Sequence, residues 1–304
     1  MKHQTLFHLL LLILLSACDP ASKSVSQEGE VDTEKDYTIV LEDGLYIEQF
    51  DSTNTADNRY TANNQTYRAG NKLTYDYYYE DRNGARFKFE ENEGASELDF
   101  RERAKAWSFV PIDSPTERTI DQVILTVKKG LEPMNRSNPD YNQTVISYNY
   151  PQVNGEQKFS SSTGVIENEK NIWAHPPRDR FFQILELNPF PFIQAPYEIG
   201  NKWTWSLGIG SFWGDERWKI WEGRIENQYT YEITDKRKIE LALGTIACSE
   251  IQSTATSRIG TTQLTAYFHP EYGFVKLDYT NIDSSRTVLE LINFEPAGVD
   301  ISLE

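Results

Sequence analysis

The chain has 304 residues, with 46 Asp and Glu against 30 Lys and Arg, for a formal charge of −16. That length can bury one large core or two smaller ones. Such an acidic balance excludes a nucleic-acid partner, because phosphate binding needs clustered Lys and Arg, and it disfavours docking on anionic headgroups by charge.

The first element is a secretory signal over residues 1–17. Lys2 supplies the positive start, Leu6 to Leu15 the apolar core, and Ser16-Ala17 the small residues before Cys18. An apolar run of ten residues is too short to span a bilayer. Leu15-Ser16-Ala17-Cys18 resembles the lipobox of bacterial lipoproteins. That resemblance implies cleavage before Cys18 and acylation of its thiol, so that the lipid makes the membrane the chain's partner. The implied address is the cell envelope of a diderm bacterium, at the outer membrane. Asp19, which follows the cysteine, favours retention at the inner membrane in some bacteria. Cleavage removes Lys2 and no acidic residue, taking the charge to −17 and the length to 287.

With Cys18 acylated, Cys248 has no partner for an internal disulfide. It lies in the strand-like run Gly244–Ile251 with no base or cation close by in sequence, which predicts a packed thiol rather than a reactive one. Residues 18–36 are small and polar without an aromatic, the composition of a flexible tether.

Beyond the tether the pattern predicts an all-β chain. Apolar and polar residues alternate at Leu73/Tyr75/Tyr77/Tyr79, Trp203/Trp205/Leu207/Ile209, Tyr229/Tyr231/Ile233, Ile239/Leu241/Leu243 and Val275/Leu277/Tyr279. Turn residues separate them at Arg82-Asn83-Gly84, Val153-Asn154-Gly155 and Glu271-Tyr272-Gly273. Only Ser96–Ala104 offers a short helical turn. Antiparallel sheet with one solvated face fits this pattern.

The motif Tyr67-Arg-Ala-Gly-Asn-Lys-Leu-Thr-Tyr75 returns 130 residues later as Tyr197-Glu-Ile-Gly-Asn-Lys-Trp-Thr-Trp205. A weaker echo joins Trp173-Ala-His-Pro176 to Tyr267-Phe-His-Pro270. Both markers recur in the same order, which predicts two related β units, 37–190 and 191–304, as curved antiparallel sheets or half-barrels packed together. The Pro-rich segment Asn188–Pro196 is the expected crossing between them. Its prolines bar helix and central strand alike, and its aromatics favour burial.

The second half also resembles an uncharacterised β-rich domain of bacterial exported proteins and lipoproteins. Tyr197–Trp205, Gly244–Cys248 and Tyr267–Lys276 carry the likeness, over about residues 197–294. It implies a curved sheet similar to the half-barrel of lipoprotein carriers, and brings no catalytic residue with it.

Motifs for a P-loop, a zincin, a nucleophile elbow and a Cys-x-x-Cys pair are all missing, and no cofactor is expected. After cleavage only His175 and His269 remain, and no third metal ligand is evident. His175, Arg178, Asp179 and Arg180 gather beside aromatics in an otherwise acidic chain, so this loop either receives an anion or pairs its arginines with surface carboxylates. Trp213, Trp218 and Trp221 suit stacking on sugar rings if exposed, or plugging of a barrel end if buried. The resulting expectation is a non-catalytic binding or assembly protein of the envelope, whose partners are envelope proteins or glycans. A glycan-binding lipoprotein using the three tryptophans is the alternative, and a hydrolase with an unidentified site the third reading.

Overall fold

The structure, a computed structural model, describes residues 37–50, 60–138 and 141–298; the signal segment, Cys18 and the tether to residue 36 lie outside them. Strands β1 (Tyr37–Glu42) and β2 (Leu45–Phe50) form a hairpin of their own. The first half then supplies β3 (Lys72–Glu80), β4 (Arg86–Glu91), β5 (Trp107–Pro111), β6 (Val123–Val127), β7 (Thr144–Asn149), β8 (Ser160–Glu167) and β9 (Asn171–Ala174). The second supplies β10 (Phe192–Gln194), β11 (Lys202–Gly210), β12 (Arg224–Leu241), β13 (Gly244–Ser257), β14 (Gly260–His269), β15 (Gly273–Thr280) and β16 (Arg286–Glu295).

These fourteen strands form one antiparallel sheet, in the order β10-β9-β8-β7-β6-β3-β16-β15-β14-β13-β12-β11, with β4 and β5 branching from β3. The sheet curls into a nearly closed barrel. Both halves contribute to it, and β3, the first strand of this sheet in the chain, pairs along its length with the last, β16.

Period-two alternation sets which side chains face inward. Leu73, Tyr75, Tyr77 and Tyr79 of β3 are buried, as are Trp203, Trp205 and Ile209 of β11 and Tyr229, Tyr231 and Ile233 of β12. The predicted run Ile239/Leu241/Leu243 behaves differently. A bulge between Ile233 and Asp235 shifts the register of β12 against β13, and past it Leu243 is exposed.

The two Gly-Asn turns have the same local geometry. Gly70 and Gly200 both take left-handed φ, 97° and 91°, a conformation that favours glycine. The amide of Gly70 donates to the Val127 carbonyl at 2.9 Å and that of Gly200 to the Ile233 carbonyl at 2.8 Å. Val127 and Ile233 return the bond to the carbonyls of Asn71 and Asn201. Each turn thereby clamps its strand to an antiparallel neighbour, β6 or β12.

The barrel interior is filled by the chain itself. Residues Arg180–Leu187 form a distorted 3-10 helix that the sequence pattern does not predict, and every one of its side chains is buried. The Pro-rich segment follows, with Phe190, Phe192 and Ile193 also buried. Phe182 packs 5.2 Å from Tyr77 and 5.0 Å from Phe89, and Phe190 packs 5.3 Å from Trp205. Inward polar side chains satisfy this segment's backbone: Asn227 and Thr262 both donate to the Leu187 carbonyl, at 3.1 and 2.9 Å.

The β1–β2 hairpin sits over the seam between the edge strands β10 and β11. Tyr46 N–H donates to Asn171 Oδ1 at 2.8 Å, and Gln194 Nε2 donates to the Gly44 carbonyl at 2.9 Å. Gly44 itself lies against β11 so closely that a Cβ would stand 2.5 Å from the Thr204 carbonyl oxygen. Unpaired edges invite association, and the hairpin shields this one.

Candidate functional site: the Arg180 pocket

The loop that follows β9 is held from both sides. His175 N–H donates to the Gly164 carbonyl at 3.1 Å, and Tyr148 Oη donates to the His175 carbonyl at 2.7 Å. Pro176-Pro177 then ends the strand, because neither can donate to a ladder. Asp179 occupies the N-cap of the 3-10 helix, its side chain making no cap bond, and Arg180 adopts a left-handed φ of 50°. That conformation is costly for a residue with a Cβ. It sends the Arg180 side chain into the protein, where only 4% of it remains exposed.

There its guanidinium meets Glu91 at the end of β4, with Nη2 at 2.8 Å from Oε1 of a carboxylate that is itself 6% exposed. Arg103 reaches the same oxygen at 3.4 Å, and Gln152 Nε2 approaches the other at 3.4 Å. Phe159 and Phe181 lie 4.8 and 5.0 Å from the Arg180 guanidinium carbon. Burial lowers the Arg180 pKa, while the hydrogen bond and charge of Glu91 oppose the shift.

Glu91 occupies one nitrogen of Arg180 and leaves two. Arg180 Nε and Nη1 have no hydrogen-bond partner, and neither do Arg103 Nε and Gln183 Oε1. These residues line a pocket of about 110 Å³ together with Ala104, Phe159, Asp179 and Phe212. Phe212 is 51% exposed and stands at its solvent side. Buried polar atoms without partners are uncommon in folded proteins, and four of those among the described residues belong to side chains that line this opening.

No protein-family model and no curated protein matches the chain. Two solved structures do. One is a protein inferred to be exported, with a YmcC-like fold, from Bacteroides fragilis NCTC 9343, at 10% identity over 76% of this chain and 98% of that one, with a TM-score of 0.36. The other, inferred to be a lipoprotein, is from Parabacteroides distasonis ATCC 8503, at 11% identity over 76% and 97%, with a TM-score of 0.40. At these values neither likeness bears on function.

The residues singled out in the sequence fall in three places. Arg180 lines the pocket. Arg178 is tied away from it, with Nη1 at 3.0 and 3.1 Å from the two oxygens of Glu186, and its guanidinium carbon lies 5.3 Å from the Trp213 ring. Glu186 has its pKa raised by burial, with Arg178 pulling the other way. His175 belongs to the aromatic core, 4.6 Å from Trp173 and 5.1 Å from Phe190. Burial, with Arg178 adding to it, holds its pKa well below 6.5. Of the three, Arg180 lines the pocket, Arg178 is spent on an internal ion pair, as the second of the two readings of this loop had it, and His175 packs among aromatic rings.

The tryptophan platform is corrected by burial. Trp218 and Trp221 are buried and Trp213 is half-buried, so the three form no exposed platform for sugar rings. Arg217 explains the arrangement at Trp218: its guanidinium carbon sits 3.6 Å from the Trp107 ring and 5.4 Å from Trp218, and its Nε bonds Asp215 at 2.8 Å. Among the described residues no group of three His, Cys, Asp or Glu could hold a metal.

Sequence reasoning missed Arg103, Phe159 and the Glu91 behind them, which come from elements far apart in the chain, and Gln183, one turn along the helix from Arg180. Larger openings exist. A polar groove of about 600 Å³ runs over the outer faces of β11 to β14, lined by Thr204, Thr230, Thr254 and Gln263 among others. A cleft of about 500 Å³ contains Glu167. Its carboxylate, however, is met by the amides of Gln65, Thr66 and Tyr67 at 2.7 to 2.8 Å and holds that turn. Neither combines a buried charge with unmet donors as the Arg180 pocket does.

Proposed function

We propose that this chain is a lipid-anchored protein of the bacterial cell envelope, borne on the outer membrane, with a non-catalytic binding role centred on the Arg180 pocket. The anchoring rests on Leu15-Ser16-Ala17-Cys18 and the polar tether after it. The binding role rests on one observation, the buried Arg180 guanidinium whose Nε and Nη1 lack partners beside an aromatic-walled opening. A carboxylate is the group that supplies acceptors to such donors at short range, whether carried by an envelope protein or by a glycan.

Labelling cells with a fatty-acid analogue tests the anchor. Incorporation in wild type and loss of it in Cys18→Ala supports acylation, and equal labelling overturns it. Membrane fractionation of the labelled protein distinguishes the outer membrane from retention at the inner one. Calorimetric titration with acetate and propionate tests the pocket. Saturable binding that Arg180→Met removes supports it, and no binding of either acid overturns it.

A further inference from the structure

Gln183 gives the pocket a second requirement, opposite in sign to that of Arg180. Its side chain is buried and its Oε1 accepts no hydrogen bond. A ligand offering only a carboxylate would meet the guanidinium donors and leave that acceptor as it is. Asp179 also lines the pocket, and its side chain makes no cap bond to the helix it precedes. Two positive charges, Arg103 and Arg180, therefore face two negative ones, Asp179 and the Glu91 behind them. A site whose formal charges cancel gains less from a bare carboxylate than from a carboxylate that brings its own positive charge. It matches a molecule that carries both signs a few ångströms apart.

We propose that the pocket binds a small α-amino acid as its zwitterion, with the carboxylate on Arg180 and the ammonium on Asp179 and Gln183 Oε1. This rests on the carboxylate-binding reading above and adds the ammonium to it. The volume of about 110 Å³ limits the occupant, since it equals roughly four water volumes in the liquid. That accommodates a glycine- or alanine-sized molecule, with Phe159 and Phe212 against its side chain. An ammonium has three donors and no acceptor, which fits a carboxylate and an amide oxygen left without partners. Burial strengthens each of these contacts relative to water.

The test is calorimetric titration of the full-length, detergent-solubilised protein with alanine, lactate and propionate, which share a three-carbon skeleton. Alanine is expected to bind at least about tenfold more tightly than propionate, with lactate between them. Asp179→Asn, an isosteric change at a half-buried position, is expected to abolish the preference for alanine, by weakening alanine and tightening propionate as a charge that repels the carboxylate is removed. Gln183→Leu is expected to narrow it, with unchanged tryptophan fluorescence as the check on folding. Equal binding of alanine and propionate overturns the zwitterion while leaving the carboxylate reading standing. Equal binding of lactate and alanine overturns the ammonium. Binding of none of the three overturns both readings together.

Discussion

Asn71 and Asn201 hold corresponding turns by corresponding bonds. The side-chain amide of Asn71 donates to the Thr66 carbonyl at 2.8 Å, and that of Asn201 to the Pro196 carbonyl at 3.0 Å. In each case the acceptor is the residue just before the motif's tyrosine. Their surroundings then diverge. Asn71 is buried and also accepts from the Ala297 amide at 2.7 Å, tying the turn to the chain beyond β16. Asn201 is only half-buried and donates to Gln194 of β10 instead, at 2.9 Å.

That difference sets the cost of losing each side chain. Asn71→Ala leaves the half-buried Ala297 amide as well as the turn carbonyl without its partner, and is expected to destabilise by about 2 kcal/mol, against about 1 kcal/mol for Asn201→Ala. Urea unfolding with an unchanged m-value measures both. Equal losses would show that the Ala297 bond contributes little.

The strands and these turns were legible because their signals are local. Tyr75, Tyr77 and Tyr79 alternate within a few residues, and Gly70 and Gly200 mark left-handed corners by identity alone. The interior segment was not. Phe181, Phe182, Ile184, Leu185 and Leu187 leave Arg180, Gln183 and Glu186 at every third position, a helical repeat only eight residues long, and its polar side chains are buried with the apolar ones, so no solvent face announces it. The pocket was half legible. Arg180 stood out as a cation in an acidic chain, but Glu91 lies 89 residues away, and only the barrel's curvature brings them together. Trp218 looked available because Trp107 and Arg217, which cover it, meet only in the fold.

The Arg180–Glu91 pair should respond asymmetrically to mutation. Glu91→Gln leaves the buried Arg180 charge uncompensated, and removing one partner of a buried pair typically costs about 3–5 kcal/mol. The double variant Glu91→Gln/Arg180→Met removes the stranded charge and should recover more than half of that loss. Urea unfolding of the two single variants and the double variant gives the coupling. A Glu91→Gln loss below about 1 kcal/mol would mean that Arg180 finds another partner or water.

Gly44 is the point at which the seam hairpin can be released. At φ 91°, with the Thr204 carbonyl 2.5 Å from any added Cβ, Gly44→Ala is both strained and obstructed by backbone. The expected result is detachment of β1–β2 with the large sheet retained. Limited proteolysis should show accelerated cleavage within residues 37–50, while tryptophan fluorescence and the urea midpoint of the barrel change little. Global unfolding in place of local cleavage would make the hairpin part of the barrel's cooperative core.

His175 makes stability depend on pH in a defined direction. In the unfolded chain it takes up a proton near 6.5, whereas burial between Trp173 and Phe190 and the charge of Arg178 keep it neutral in the native state until well below that value. Below about pH 6.5 the unfolded state therefore binds a proton that the folded state refuses. Stability falls as the pH drops, by at most about 1.4 kcal/mol per pH unit from this group. Glu167 and Glu186 act the opposite way, because their raised values let the native state hold protons more tightly, a contribution lost as the pH rises through those values. The histidine is isolated by comparing wild type with His175→Phe between pH 7.5 and 5.5. The wild-type urea midpoint should fall over that range more steeply than the variant's, since phenylalanine fills the same aromatic site without a titrating nitrogen. Parallel curves would place the imidazole in contact with water and refute its assignment to the core.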